Sequence, residues 1–536
     1  MKFEAIWQDR SQWKYLARLN DGETTKVVEV PSQFEYYVQH SKGTYKYVLD
    51  QSISLLKRLG TSKDAKDQFG VVNPMYRYIR DNYWGKGYNL SPRVWYLDIE
   101  TRADGAFPKP ELAEKQITLI QIFDNKLETM IIFGLRDFEM EKGYELPYKV
   151  KYIKCTDEFE LLNKYLTVFK KLDPLIIHAW NGLGFDYPYI HNRLKNLGID
   201  PNLMSNYGKV EYSANTDNKT QKLMFDFTAH GHYYIDMLDA YKNFTFDVKS
   251  SYALDFISNI ELGEGKVDHS EFTTFDSFYT GESYQISNTS YDDKVREEIR
   301  QLKIKERNNE NYDNDRLLKL LQFQFVYYGI KDVYLLKRLD MKMNLTNIML
   351  GMAQKMGCLV SDTMGTIKPW STYINNVCNS KNLVFPPRQE HEKSDLKGGF
   401  VRKPVKGRHK WVLSFDYNSM YPMNMVGFNM SPETYVPLAK CPSDLRDLVM
   451  KYFNSQDEDK ALDVSQDVWD KVTPLLQKYN YSMGINGALF DKSKEGIIPN
   501  LVWDIYTQRK KDKKIMLKYE KQKEVIQKII LARKKS

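Results

Sequence analysis

The sequence predicts a multidomain protein of mixed α/β and α+β architecture, and three observations carry that expectation. The chain has 536 residues, more than one hydrophobic core holds, because cores stop growing near ~250–300 residues. Short apolar runs of strand length alternate with amphipathic helical stretches from near residue 95 onward, the order that builds a buried sheet flanked by helices. With 42% hydrophobic and 28% charged residues, the composition is that of an ordinary globular protein.

The elements follow in chain order. "TTKVVEV" alternates apolar and polar residues and reads as a strand among turns, and "SQFEYYVQHSKGTYKY" is rich in aromatic and basic residues. "SPRVWYLDIET" is a strand ending in two carboxylates, followed by the strands "ITLIQIFD", "LETMIIFGL" and "PLIIHAWNG". "DEFELLNKYLTVFKKL" has the apolar spacing of a helix. Residues 286–320 are charged and read as a solvated helix and loop, and "LLKLLQFQFVYYGIKDVYLLKRL" is an apolar helix. "FPPRQEHEKSDLKGGF" has the turn-rich character of a boundary, and "KWVLSFD" after it reads as a strand. From about residue 499 the pattern is one long helix, with Leu501, Ile505, Met516, Tyr519, Ile526 and Ile530 as an apolar stripe among lysines.

Bulk properties exclude some function classes. A net charge of +8 permits a polyanionic partner without demanding one. Cys155, Cys358, Cys378 and Cys441 are scattered and form no CxxC pair, which argues against a zinc site or disulfide framework and fits a reducing compartment. The start "MKFEAIWQDR" has no signal-peptide core, and no apolar run approaches the ~20 residues a membrane span needs, so an intracellular protein with no membrane partner is expected.

The chemistry lies in carboxylates bounded by apolar sequence. In "LDIET", Asp98 and Glu100 are two apart on a strand and project from one face. "HAWNGLGFDYPYI" delivers Asp186 through a glycine-containing turn, and "YYGIKDVYLL" places Tyr328 and Asp332 four apart on one helix face. Each alone is explained as a cap or a solvated charge. Together they suit a pair of divalent cations, which take oxygen ligands and can activate a water in phosphodiester hydrolysis. A further carboxylate, Asp416, leaves the apolar run of "LSFDYNSMYP".

"DIE", "NGLGFD" and "YGIKD", in this order and spacing, resemble the three motifs of the DnaQ-like, RNase H-like 3′–5′ proofreading exonuclease in the form found in family B DNA polymerases. The resemblance implies catalytic and metal-ligating roles for Asp98, Glu100, Asp186 and Asp332, with Tyr328 orienting the attacking water. "DYNSMYP" resembles motif A of the family B palm, D-x-x-S-L-Y-P, with Met420 in place of leucine. It implies a metal at Asp416 and Tyr417, triphosphate contacts from the turn Ser419–Met420–Tyr421, and Tyr421 beneath the incoming sugar. "EGIIPNLVWDIYTQRKKDKK" resembles the start of the family B fingers, with Arg509 and Lys513 one turn apart and able to reach one triphosphate.

The family resembled is the family B polymerases of T-even-like bacteriophages. It implies an N-terminal domain over 1–96 completed by 336–384, the exonuclease over 97–335, a partial palm over 385–470 and partial fingers over 471–536. The family's Y-x-D-T-D carboxylates and K-x-x-x-N-S-x-Y-G lysine do not occur in the sequence. The expectation is therefore an amino-terminal subunit of a split replicative polymerase, unable to synthesise alone, and an artificial truncation would read the same. The alternatives are a free-standing 3′–5′ exonuclease and a non-catalytic nucleic-acid-binding regulator. The resemblance also implies two Mg2+ or Mn2+ ions at the exonuclease site and two at the completed polymerase site. Implied partners are single-stranded DNA, primer–template, dNTP, a second polypeptide that covers the apolar stripe of the last helix, and a sliding clamp reached through it. The expected location is the cytoplasm of an infected bacterial host.

Overall fold

The computed structural model describes the chain except residues 62, 65–67, 88–89, 104–106, 217–222, 246, 386–403, 454–463 and 536, and except the side chains of 531, 532, 534 and 535. It divides into two compact units, one of residues 1–34 and 72–373, the other of 35–71 and 374–536.

In the first unit a six-stranded mixed sheet forms from the apolar runs read in the sequence. Its spatial order is Lys149–Lys154, Thr129–Gly134, Ile117–Asp124, Val94–Thr101, Ile176–Ala179 and Tyr233–Asp236. Val94–Thr101, the central strand, pairs antiparallel with Ile117–Asp124 and parallel with Ile176–Ala179. Ile117–Asp124 is buried along its whole length, as a strand covered on both faces is, whereas the edge strand Lys149–Lys154 keeps exposed lysines.

Alternation along the central strand sorts its side chains. Trp95, Leu97 and Ile99 enter a core with Leu162, Tyr165 and Phe169 of the helix Glu158–Leu172, which Asp157 caps through the Glu160 amide. Val94 and Tyr96 enter the opposite core, built on the long helix Asn314–Met343. By period 2, Asp98 and Glu100 continue that second face and meet the long helix.

An antiparallel three-stranded sheet, Lys2–Asp9, Lys14–Asn20 and Thr25–Val30, belongs to the same unit. Arg18, 2% exposed, ties it to the larger sheet. Its Nε donates to Glu4 Oε2 at 2.7 Å, Nη1 to the Gly231 carbonyl at 3.0 Å and Nη2 to the Asp173 carbonyl at 2.9 Å.

The second unit holds a five-stranded sheet of Leu383–Val384, Tyr45–Tyr47, Ser54–Gly60, Phe34–Gln39 and Phe69–Val72. It also holds a small sheet of Tyr435–Val436, Leu489–Asp491 and Tyr481–Met483, whose core includes Leu445, Val449 and Phe453. The long final helix forms over Ile497–Lys535. Its stripe is not uniformly open: Leu501 is buried at 5% exposure, whereas Met516, Tyr519, Ile526 and Ile530 stand exposed. This helix contacts the helix Met420–Gly427.

One expected strand does not form. Residues 411–417 have no regular structure, and Trp411, Val412, Leu413 and Phe415 are exposed. A strand needs a neighbour for its backbone groups, and among the described residues none pairs with this run. The expected boundary at 385–400 lies almost wholly outside the described residues. No helix among the described residues is long and apolar enough to cross a membrane.

Removing Arg18 leaves the buried Glu4 carboxylate unpaired. Arg18→Ala should cost about 3–5 kcal/mol, measured as a lower urea midpoint; a loss under about 1 kcal/mol would show that the arginine is not the tie between the two sheets.

Candidate active site

Three elements of the first unit bring the predicted residues of its site together. The central strand supplies Asp98, half-buried, and Glu100, 7% exposed. The long helix supplies Asp332, 3% exposed, and Tyr328, 8% exposed, stacked four residues apart. Carboxylate oxygens of Asp98, Glu100 and Asp332 lie within 4.8 Å of one another. The helix Asp186–Asn196 begins with Asp186, which is buried and close enough to Asp98 for their charges to repel.

Asp186 is aimed by the turn before it. Asn181 adopts a left-handed conformation with φ of 61°, and Asp236 clamps the turn by accepting from the Asn181 and Leu183 amides at 3.1 Å each. Gly184 permits the close return, since a Cβ there would lie 2.5 Å from Asn181 Oδ1. Asp236 was not among the residues singled out from the sequence, and its role arises only from tertiary contact.

A lysine also enters the site. Lys266 Nζ donates to Asp332 Oδ2 at 2.5 Å and to the Tyr328 hydroxyl at 3.1 Å. Sequence reasoning missed it; the only signal is one lysine in the glycine-bearing turn "ELGEGKV". Burial works against its charge, but Asp332, Tyr328 and Asp98 outweigh that and hold the ammonium well above its usual range.

The electrostatics are those of crowded acids with little water. Burial, then the Asp332 charge, pushes Asp98 up to about 8. Burial and the neighbouring Asp98 and Asp332 carboxylates raise Glu100 well above its ordinary value, and burial with Asp98 does the same to Asp186. Asp332 is raised by burial despite Lys266, and its Oδ1 is sealed without a hydrogen-bond partner among the described residues. Such a donor set fits a divalent cation: it is all oxygen, convergent, and short of positive charge.

The sequence-predicted residues of the second unit are differently placed. Asp416 and Tyr417 are exposed, and Asp416 has no hydrogen-bond or ion-pair partner among the described residues. Ser419, at φ of 56°, is the left-handed residue that starts the helix Met420–Gly427, and Met420 and Tyr421 open that helix exposed. Arg509 and Lys513 stand exposed one turn apart on the final helix. No hydrogen bond joins these groups among the described residues, so no closed site forms there.

Comparison with known proteins follows this division. Residues 73–257 match the family described as DNA polymerase family B, exonuclease domain, and residues 370–534 match DNA polymerase family B. The chain is 27% identical over 502 residues to the DNA-directed DNA polymerase of Escherichia phage RB69, covering 89% of this chain and 48% of that protein. It is 26% identical to that of Enterobacteria phage T4, covering 96% and 53%, and 21% identical to a DNA polymerase of Archaeoglobus fulgidus, covering 73% and 40%. The chain thus spans about half the length of the two phage polymerases.

The Asp98 shift makes a stability prediction without metal. Its ordinary value is 3.8 and its folded value about 8, so folding bears no penalty from it below pH 4, a growing one as pH rises toward 8, and a constant one above. In EDTA, Asp98→Asn should melt higher than the unsubstituted chain at pH 8, the gap closing toward pH 4. Equal midpoints at pH 8 would contradict the crowding.

Proposed function

We propose that this chain, which carries a family B DNA polymerase exonuclease domain and family B DNA polymerase sequence, removes nucleotides from the 3′ end of single-stranded DNA. The observation that supports this most is the convergence of Asp98, Glu100 and Asp332 within 4.8 Å, with Asp186 and Tyr328 at their side. In this reading Asp98, Glu100, Asp186 and Asp332 hold Mg2+ or Mn2+. The bound ions supply charge neutralisation at the phosphate and an activated water at neutral pH.

The chain's own groups divide the remaining work. The Tyr328 hydroxyl, kept protonated by burial and Asp332, is a donor to the attacking water or the scissile phosphate. Lys266 neutralises Asp332 when no cation does, and its ammonium is free to meet the phosphate once Asp332 turns to a ligand role. Asp236 holds the turn that aims Asp186. The buried walls of the sheet face and the long helix exclude water, which strengthens each of these interactions.

The family B match over residues 370–534 favours a second role, as half of a polymerase site. Asp416 and Tyr417 would hold its metal, the Ser419–Tyr421 turn, Arg509 and Lys513 the triphosphate of an incoming dNTP, with primer–template as the other substrate. Synthesis then needs the Y-x-D-T-D and K-x-x-x-N-S-x-Y-G motifs, absent from these 536 residues. We assign those motifs to sequence outside them, in a continuation of the chain or in a second polypeptide that also meets a clamp.

A 5′-labelled oligonucleotide tests the exonuclease. With Mg2+ it should shorten from its 3′ end. Loss of an outer-sphere partner typically costs 10–100-fold, so losing a ligand in Asp98→Ala or Asp332→Ala should cost more than about 100-fold. Unchanged degradation by the double variant would refute the assignment. Supplied with a polypeptide carrying the two missing motifs, the chain should extend a primer, and Asp416→Ala should end extension while shortening continues; extension by that variant would displace Asp416 from the site.

A further inference from the structure

Gln121 is a polar residue in the middle of the apolar strand Ile117–Asp124, and it is fully buried. It lies in register opposite Asp98 of the central strand. Partners directly opposite in an antiparallel pair present their side chains to the same face, with Cβ atoms about 4.5–5.5 Å apart. Leu119 and Phe123, two residues to either side, enter the core built on the long helix. The Gln121 amide therefore lies on the same face as the site carboxylates, beneath the long helix.

The helix is shaped to receive it. A Cβ at Gly329 would lie 1.8 Å from Gln121 Nε2, so only glycine leaves room for the amide there. Gly329 follows Tyr328 and precedes Asp332 by less than one helical turn. Glycine is a poor residue for a helix interior, and here its position accommodates the glutamine. The amide is wedged between the strand that carries Asp98 and the turn of helix that carries Tyr328 and Asp332.

Yet among the described residues neither Nε2 nor Oε1 of Gln121 has a hydrogen-bond partner, and both are sealed from solvent. A buried amide with both ends unmet is costly, and an aliphatic side chain of similar length would fill the space without that cost. Such a residue makes sense where its partner changes orientation between states. Asp98 stands opposite Gln121 in register, and in the exonuclease reading it turns one oxygen toward a cation.

Resting on the exonuclease reading above, we infer that Gln121 is a positioning residue of the active site, whose amide N–H donates to the Asp98 carboxylate and fixes it in its cation-binding orientation. It acts through Asp98 and touches neither substrate nor the reacting atoms.

The test uses the full chain with Gln121→Met, which matches the glutamine in length and lacks its donor, and with Gln121→Leu as a second variant. Mn2+ affinity is read by electron paramagnetic resonance titration, stability by melting in EDTA, and turnover on single-stranded DNA as kcat and KM separately. The expected result is a melting midpoint at or above that of the unsubstituted chain, Mn2+ affinity about 10-fold weaker, and kcat lower by about 10–100-fold with KM unchanged. Gly329→Ala, whose methyl group displaces the amide, should weaken Mn2+ binding in the same direction. A folded variant with Mn2+ affinity and kcat within two-fold of the unsubstituted chain overturns the inference, and so does a loss of binding that tracks a lowered melting midpoint in both variants. If the unsubstituted chain neither binds Mn2+ nor shortens DNA, the exonuclease reading fails instead.

Discussion

The first unit depends on one electrostatic constraint: buried and half-buried carboxylates from a strand and two helices are forced together where little water screens them. Asp98, Glu100 and Asp332 share a space less than 5 Å across by their ligand atoms, all within 4.8 Å of one another. In isolation that arrangement opposes folding, and the suppressed ionisation of Asp98 and Glu100, held protonated above the usual carboxylate range by burial and neighbouring charge, records the opposition. The rest of the local structure makes it tolerable. The sheet and long helix hold the strands rigid, Asp236 holds the turn before Asp186, and Lys266 supplies one fixed positive charge. The charge still lacking is what a divalent cation brings.

Such strain at a site is a reason to expect function there, because packing alone gives no cause to gather acids in a core. The second unit offers a contrast. Its candidate residues, Asp416, Tyr421, Arg509 and Lys513, stand exposed. Their proposed role rests on the motifs they resemble, and the geometry of the described residues does not bring them together.

Much of the fold was legible because its strands are bounded by turn residues and buried on both faces. "ITLIQIFD" and "LETMIIFGL" became strands where their apolar runs lay. The carboxylates were legible for a related reason: period 2 puts Asp98 and Glu100 together, and helical spacing puts Tyr328 over Asp332. Lys266 was not, since it reaches Asp332 across 66 positions, and nothing in its own neighbourhood marks it. Gln121 was overlooked as one polar residue in an apolar run, although a lone amide inside a strand that is otherwise apolar is itself a signal. "KWVLSFD" was misread because composition reports what a strand would suit, while pairing decides whether it forms; residues 411–417 have no described neighbour to pair with.

The claim that these carboxylates form a cation site is tested most directly by calorimetric titration of the metal-free chain with Mn2+ near pH 7, repeated in buffers of different ionisation enthalpy. Carboxyls held protonated by crowding must lose their protons to bind metal, so binding should release on the order of one to two protons, seen as heat that varies with the buffer. Binding whose heat is the same in every buffer, or no binding at all, would contradict it.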